Sequence, residues 1–96
     1  MLKPRIVKSI HCKDCRHYLK VLDEQNFDYL IYDADDEANL KQLDEWKISF
    51  MPVVQIVDVK SDGSEEFVSQ LPPGQWSVRA IDGRIKKAER ERKNDN

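Results

Sequence analysis

Apolar positions recur along this chain with two periods, one suited to strands and one to helices. Pro4 to Ile10 reads as the first strand, with Ser9-Ile10-His11 as the loop before the cysteines. Its adjacent Ile6 and Val7 break strict alternation, as in a strand covered on both faces. Cys15, Tyr18, Leu19 and Leu22 then fall at i, i+3, i+4 and i+7, one face of an amphipathic helix that runs to about Glu24. Gln25-Asn26-Phe27-Asp28 ends it. Tyr29-Leu30-Ile31-Tyr32 is rich in β-forming residues and reads as a second strand. In Asp33-Ala34-Asp35-Asp36, either of the last two aspartates can cap a second helix. Leu40, Leu43 and Trp46 mark the buried face of that helix, which should stop near Lys47.

Val53-Val54-Gln55-Ile56-Val57 is the strongest strand pattern in the chain. Lys60 to Ser64 forms a turn around Asp62-Gly63, and Glu65 to Gln70 returns as an antiparallel strand. Leu71-Pro72-Pro73-Gly74 interrupts the pattern. Trp76, Ala80, Ile81, Ile85 and Ala88 then mark a last helix. No apolar residue follows Ala88, so the end of the chain is expected to fray. The order βαβαββα predicts an α/β fold, a four-stranded mixed sheet flanked by helices, with the first two strands parallel. Residues 1–88 form the expected domain and 89–96 a charged C-terminal tail.

At 96 residues the chain is one small domain. No apolar run is long enough to span a membrane, and Lys3, Arg5 and Lys8 interrupt the region where a signal peptide would have its apolar stretch. These features lead us to expect a cytoplasmic protein without membrane association. Residues 1–78 carry 9 Lys/Arg against 14 Asp/Glu, and residues 79–96 carry 7 against 4. The acids interleaved in the basic end argue for a solvated face over a nucleic-acid arm.

The only two cysteines are Cys12 and Cys15, at the junction of the first strand and first helix. A disulfide between them closes too small a ring to staple the domain. A Cys-x-x-Cys pair either cycles between dithiol and disulfide or supplies half of a metal site. The helix N-terminus favours thiolate at Cys12, through its unpaired N–H groups and positive dipole end. Lys8 and Lys13 act in the same sense and Asp14 against it. His11 and His17 raise the option of zinc. However, residues two apart on a helix point to nearly opposite sides, and His11 adjoins Cys12 too closely for easy chelation. The alternative to redox chemistry is a binding module that holds a partner, zinc or an iron–sulfur cluster through the same cysteines.

Cys12-x-x-Cys15 opening a helix, with Met51-Pro52-Val53-Val54 opening a strand about forty residues on, resembles the thioredoxin superfamily and its glutaredoxin-like redoxins. The resemblance covers roughly residues 4–88. It implies a thiol–disulfide oxidoreductase in which Cys12 attacks and Cys15 resolves, with a cis proline at Pro52 facing the site. Met51, Pro52, His11 and Lys13 are then expected on the substrate side, with Phe50 at its rim. The implied partners are a protein disulfide such as that of ribonucleotide reductase, and either glutathione or a thioredoxin reductase as electron donor. No bound cofactor is implied. Three departures stand out. Ile6 occupies the position of the thioredoxins' buried acid, His11 that of the tryptophan before the first cysteine, and Leu71 to Ser77 lacks the glycine pair of the glutaredoxins.

Overall fold

Ile6 and Val7 sit side by side in the middle of the molecule, one facing each layer of the core. The computed structural model describes the backbone of residues 1–94 and the side chains of residues 1–92. Its elements are β1 (Leu2–Lys8), α1 (Lys13–Glu24), β2 (Leu30–Asp33), a 3-10 turn (Glu37–Asn39), α2 (Leu40–Glu45), β3 (Val53–Val59), β4 (Glu65–Gln70) and α3 (Val78–Asn94). The strands form one mixed sheet in the order β2-β1-β3-β4. β1 runs parallel to β2 and antiparallel to β3, and β4 is antiparallel to β3 with a bulge at Ile56/Val57. This is the predicted α/β architecture and element order.

On one face of the sheet, Ile6, Val54 and Ile56 pack with Leu22 of α1, Leu71, and Ile81 of α3. On the other, Val7 and Val53 pack with Leu43 of α2, bordered by Tyr32, Trp46, Ile48 and Met51. β1 is therefore covered on both sides, which is why it lacks the alternation of a one-faced strand. α2 is only six residues long and leaves part of its face open. Arg5, 4% exposed, fills that part. Its Nε and Nη2 donate to Gln55 Oε1 at 3.1 and 2.8 Å, and its Nη1 pairs with Glu65 at 3.2 Å. The guanidinium carbon lies 4.7 Å from the Tyr32 ring centre and 5.5 Å from that of Trp46. The planar cation thus keeps its hydrogen bonds while stacking between aromatic walls.

Helix ends follow local chemistry. Asn26 and Lys47 adopt left-handed backbone (φ 53° and 57°) just past α1 and α2. Phe27 N–H donates to Leu22 O, and Ile48 N–H to Leu43 O, the six-to-one bond of a Schellman ending. Ser77 Oγ caps α3 by accepting from Ala80 N–H at 3.1 Å.

Four expectations shift. β1 spans Leu2–Lys8, starting two residues before the expected Pro4, and Ser9-Ile10-His11 form the expected loop before the cysteines. Leu40, in the first turn of α2, is 55% exposed and lies outside the core, while Leu43 one turn on is buried. Trp76 precedes α3 and belongs to the connection. α3 continues past Ala88 to Asn94, with Arg92 Nη1 2.6 Å from Asp58. Of the expected tail, residues 95 and 96 lie outside the described residues. Among the described residues, no helix is long and apolar enough to cross a membrane.

Candidate redox site

The two cysteines are joined as a disulfide at the start of α1, with Cα atoms 5.2 Å apart. Cys12 is the N-cap residue, in extended backbone, and the Cys15 N–H points at Cys12 Sγ from 3.1 Å. A sulfur takes the place of the usual capping oxygen. In the reduced protein the same N–H would face a thiolate, and the helix dipole acts in the same sense. The two sulfurs differ in exposure: Cys15 is wholly buried and Cys12 is half-buried. An incoming sulfur can reach Cys12 from solvent, whereas Cys15 is reached through Cys12.

The loop before Cys12 is held from both sides. Asp35, just after β2, accepts from Ser9 Oγ at 2.7 Å and from Ile10 N–H at 2.8 Å. Ser9 Oγ in turn accepts from His11 N–H at 3.1 Å, and Cys12 N–H donates to Ser9 O at 3.1 Å. Arg16 Nη1 donates to Ile10 O at 3.1 Å. The Ile10 N–H and the Ser9 hydroxyl hold the Asp35 carboxyl below the usual carboxylate range, with smaller help from the nearby His11 and Lys8. Asp35 is thus an anion that fixes the start of α1.

The Met51–Pro52 bond is cis, and the Met51 carbonyl oxygen lies 3.6 Å from Cys12 Sγ. Pro52 is buried in the sheet end. Beside it runs a groove of about 310 Å³, walled by Asp14, His17 and Tyr18 of α1, by Met51 and Pro52, and by Trp76. The Tyr18 hydroxyl donates to the Trp76 carbonyl, which ties the connection before α3 to α1. Burial pushes the Tyr18 hydroxyl up to about 12, so it remains a donor at neutral pH.

The structure therefore brings Cys12, Cys15, Met51 and Pro52 together. His11 and Lys13 flank Cys12 and are exposed, and neither side chain makes a hydrogen bond or ion pair among the described residues. Phe50 is half exposed and is not a wall of the groove. Sequence reasoning missed Asp35, whose partners are 25 and 26 residues away. It also set His17 aside as a metal ligand, although the helix turns that ring into the groove wall. Its position five residues after Cys12, on the Asp14-Tyr18-Val21 side of α1, was the available signal. Among the described residues, no group of three or more His, Cys, Asp and Glu is arranged to hold a metal ion.

No family model matches the chain, and no curated protein matches it. Among solved structures, the solution structure of a thioredoxin from Thermus thermophilus is similar. The TM-score is 0.56 at 17% identity, covering 93% of this chain and 72% of that one. The fold is that of thioredoxin. In this thioredoxin fold, the Cys12–Cys15 disulfide sits where the sheet, α1 and the Met51-Pro52 turn meet, an arrangement that fits a thiol oxidoreductase.

Proposed function

We propose that the protein reduces disulfides of other proteins by thiol–disulfide exchange through Cys12 and Cys15. The observation that carries this reading is the unequal setting of the two sulfurs. Cys12 is reachable and faces the Cys15 N–H, while Cys15 is buried one helical turn behind it.

In the reduced protein, the Cys12 thiolate attacks one sulfur of the substrate disulfide. A new S–S bond forms, the substrate S–S bond breaks, and the first substrate thiolate leaves and takes a proton from water. Cys15 then loses its proton and attacks Cys12 Sγ. This closes the Cys12–Cys15 disulfide, and the second substrate sulfur leaves as a thiol. Two electrons have passed to the substrate, and an external dithiol or two external thiols must return them. Met51 and Pro52 present the backbone edge along which an extended substrate segment lies, and His11 and Lys13 contribute positive or polar surface at the rim. A ribonucleotide reductase disulfide is one substrate of this class. Glutathione and a thioredoxin reductase are the two donors to compare.

Insulin reduction driven by dithiothreitol tests the reading. The wild type accelerates precipitation of the insulin B chain and Cys12→Ser does not. An acceleration that survives Cys12→Ser contradicts the proposal. Replacing dithiothreitol first by glutathione with its reductase, then by thioredoxin reductase, identifies the donor.

A further inference from the structure

The groove beside Met51 and Pro52 and a larger hollow of about 980 Å³ between α1 and α3 are separate spaces with a common wall. That wall is made by Tyr18 of α1 and Trp76 of the connection before α3, with Val21 beside them. The two ring centres lie 6.0 Å apart, and the Tyr18 hydroxyl donates to the Trp76 carbonyl oxygen. Burial keeps this hydroxyl protonated well above neutral pH, so the donor is present throughout the working range.

The two halves of the wall are not equally fixed. Tyr18 stands on α1, which the core anchors through Cys15 and Leu22. Trp76, half-buried, stands on an irregular strap. The strap is held before it begins, where Leu71 N–H donates to Val54 O at 2.9 Å, and after it ends, where Ser77 caps α3. Between these points Pro72 and Pro73 have no N–H, residues 72–75 are exposed, and Gln75 N–H donates back to Pro72 O within the strap itself. Among the described residues, the Tyr18 bond is the one hydrogen bond that ties residues 72–76 to another element. Segments with exposed backbone and few packed contacts open most readily. The other walls of the groove stand on α1 and on the turn that opens β3, and need no such tie.

We propose that Tyr18 is a positioning residue for disulfide exchange: it latches the strap so that Trp76 closes one side of the groove, where the substrate polypeptide beside the reacting cysteine lies. This deepens the thiol–disulfide reading and rests on it. The Met51 carbonyl oxygen is 3.6 Å from Cys12 Sγ. A polypeptide joined to Cys12 therefore passes Met51 and meets the apolar walls Val21, Pro52 and Trp76. With the latch released, the groove opens into the hollow, and the bound segment exchanges an apolar wall for water. A disulfide too small to reach past Met51 does not use that wall, so the latch acts on polypeptide substrates.

The test compares two oxidants in single-turnover reactions. Pre-reduced, desalted protein is mixed with excess insulin or with hydroxyethyl disulfide. Samples are quenched in acid and alkylated, and the oxidised fraction is counted by mass spectrometry. Tyr18→Phe keeps the ring and removes the hydroxyl. Its rate constant for insulin should fall about two- to tenfold further than that for hydroxyethyl disulfide, the contribution of one hydrogen bond. With insulin concentration varied, the loss should appear in the half-saturating concentration and not in the maximal rate. The Gln75 amide should also exchange faster with solvent. Trp76→Ala removes the ring that the latch places and leaves the backbone carbonyl. In that background the insulin-specific loss caused by Tyr18→Phe should disappear, because the positioned wall is already gone. Each readout is a ratio between oxidants within one variant, so a general loss of activity cancels. Equal losses for both oxidants in Tyr18→Phe overturn the proposal, as does no loss, or the same insulin-specific loss with and without the Trp76 ring. A wild type that reacts with neither oxidant overturns the thiol–disulfide reading itself, a failure distinct from a lost latch.

Discussion

Cys12 takes the capping position that serine or aspartate usually fills, and this makes the helix N-terminus part of its chemistry. The N–H that a capping oxygen would accept points instead at a sulfur. Lys13 and Asp14 follow it with opposite charges and are both exposed, so the fixed backbone donor is the more dependable influence on the thiolate. The position of Cys12 depends in turn on Asp35. Replacing Asp35 with alanine removes the acceptor for both the Ser9 hydroxyl and the Ile10 N–H. The expected result is faster hydrogen exchange at the Ile10 and Cys12 amides with α3 amides unchanged. Unchanged exchange at Ile10 would show that Arg16 alone holds the loop. The cysteine pair and the Met51-Pro52 turn were legible in the sequence because each is a short motif with its own mechanism. Asp35 was legible only as a candidate helix cap. Asp36 caps only the 3-10 turn before α2, its carboxylate accepting from Ala38 N–H at 3.0 Å, and Asp35 turns instead to a distant loop.

Among the elements, α1 and β4 follow their predicted bounds closely, α1 because it has one buried face and clear stop signals, β4 because the Asp62-Gly63 turn and Leu71-Pro72 delimit it although none of its residues is buried. α2 does not. The apolar spacing of Leu40, Leu43 and Trp46 suggested one continuous face, but the 3-10 turn takes up Glu37–Asn39, the helix is only six residues long, and Leu40 in its first turn is exposed. Such a short helix cannot cover its half of the sheet. A buried arginine, invisible to any hydrophobic pattern, completes the layer. The end of α2 also carries a cost, because Lys47 holds a left-handed conformation that a Cβ disfavours. Lys47→Gly should raise stability by about 0.5–1 kcal/mol. The measurement is the urea midpoint at constant slope, and a lower midpoint would show that the lysine side chain contributes a contact that outweighs the strain.

For the molecule as a whole, one carboxylate ties the end of the sheet opposite the disulfide. Asp58 accepts from the Met1 amino group at 2.7 Å, Lys60 at 2.9 Å and Arg92 at 2.6 Å. Arg92 first, then the Met1 amino group and Lys60, hold its carboxyl far below the ordinary 3.8. A carboxylate depressed on folding contributes stability that is present above its unfolded value and lost as pH falls towards its folded one. Stability should therefore be level near neutrality and begin to drop as pH nears 3.8, with the loss completed only in strong acid. In Asp58→Asn that acid limb should be shallower and the neutral plateau lower. An acid limb as steep as the wild type's would assign the dependence to other carboxylates. The same cluster shows why the apolar pattern alone did not account for α3 past Ala88. That stretch is tied by charge at Arg92, 34 residues from its partner, and a periodicity argument does not see such a pair.

The central claim, that Cys12 attacks and Cys15 resolves, is tested most directly by trapping. Reduced Cys15→Ser is mixed with insulin in the absence of other thiols, and the products are separated under non-reducing conditions and mapped by mass spectrometry. A mixed disulfide between Cys12 and an insulin cysteine should accumulate, while the wild type should form none that persists. Accumulation on Cys15 in the Cys12→Ser variant, or no adduct with either variant, would contradict the account.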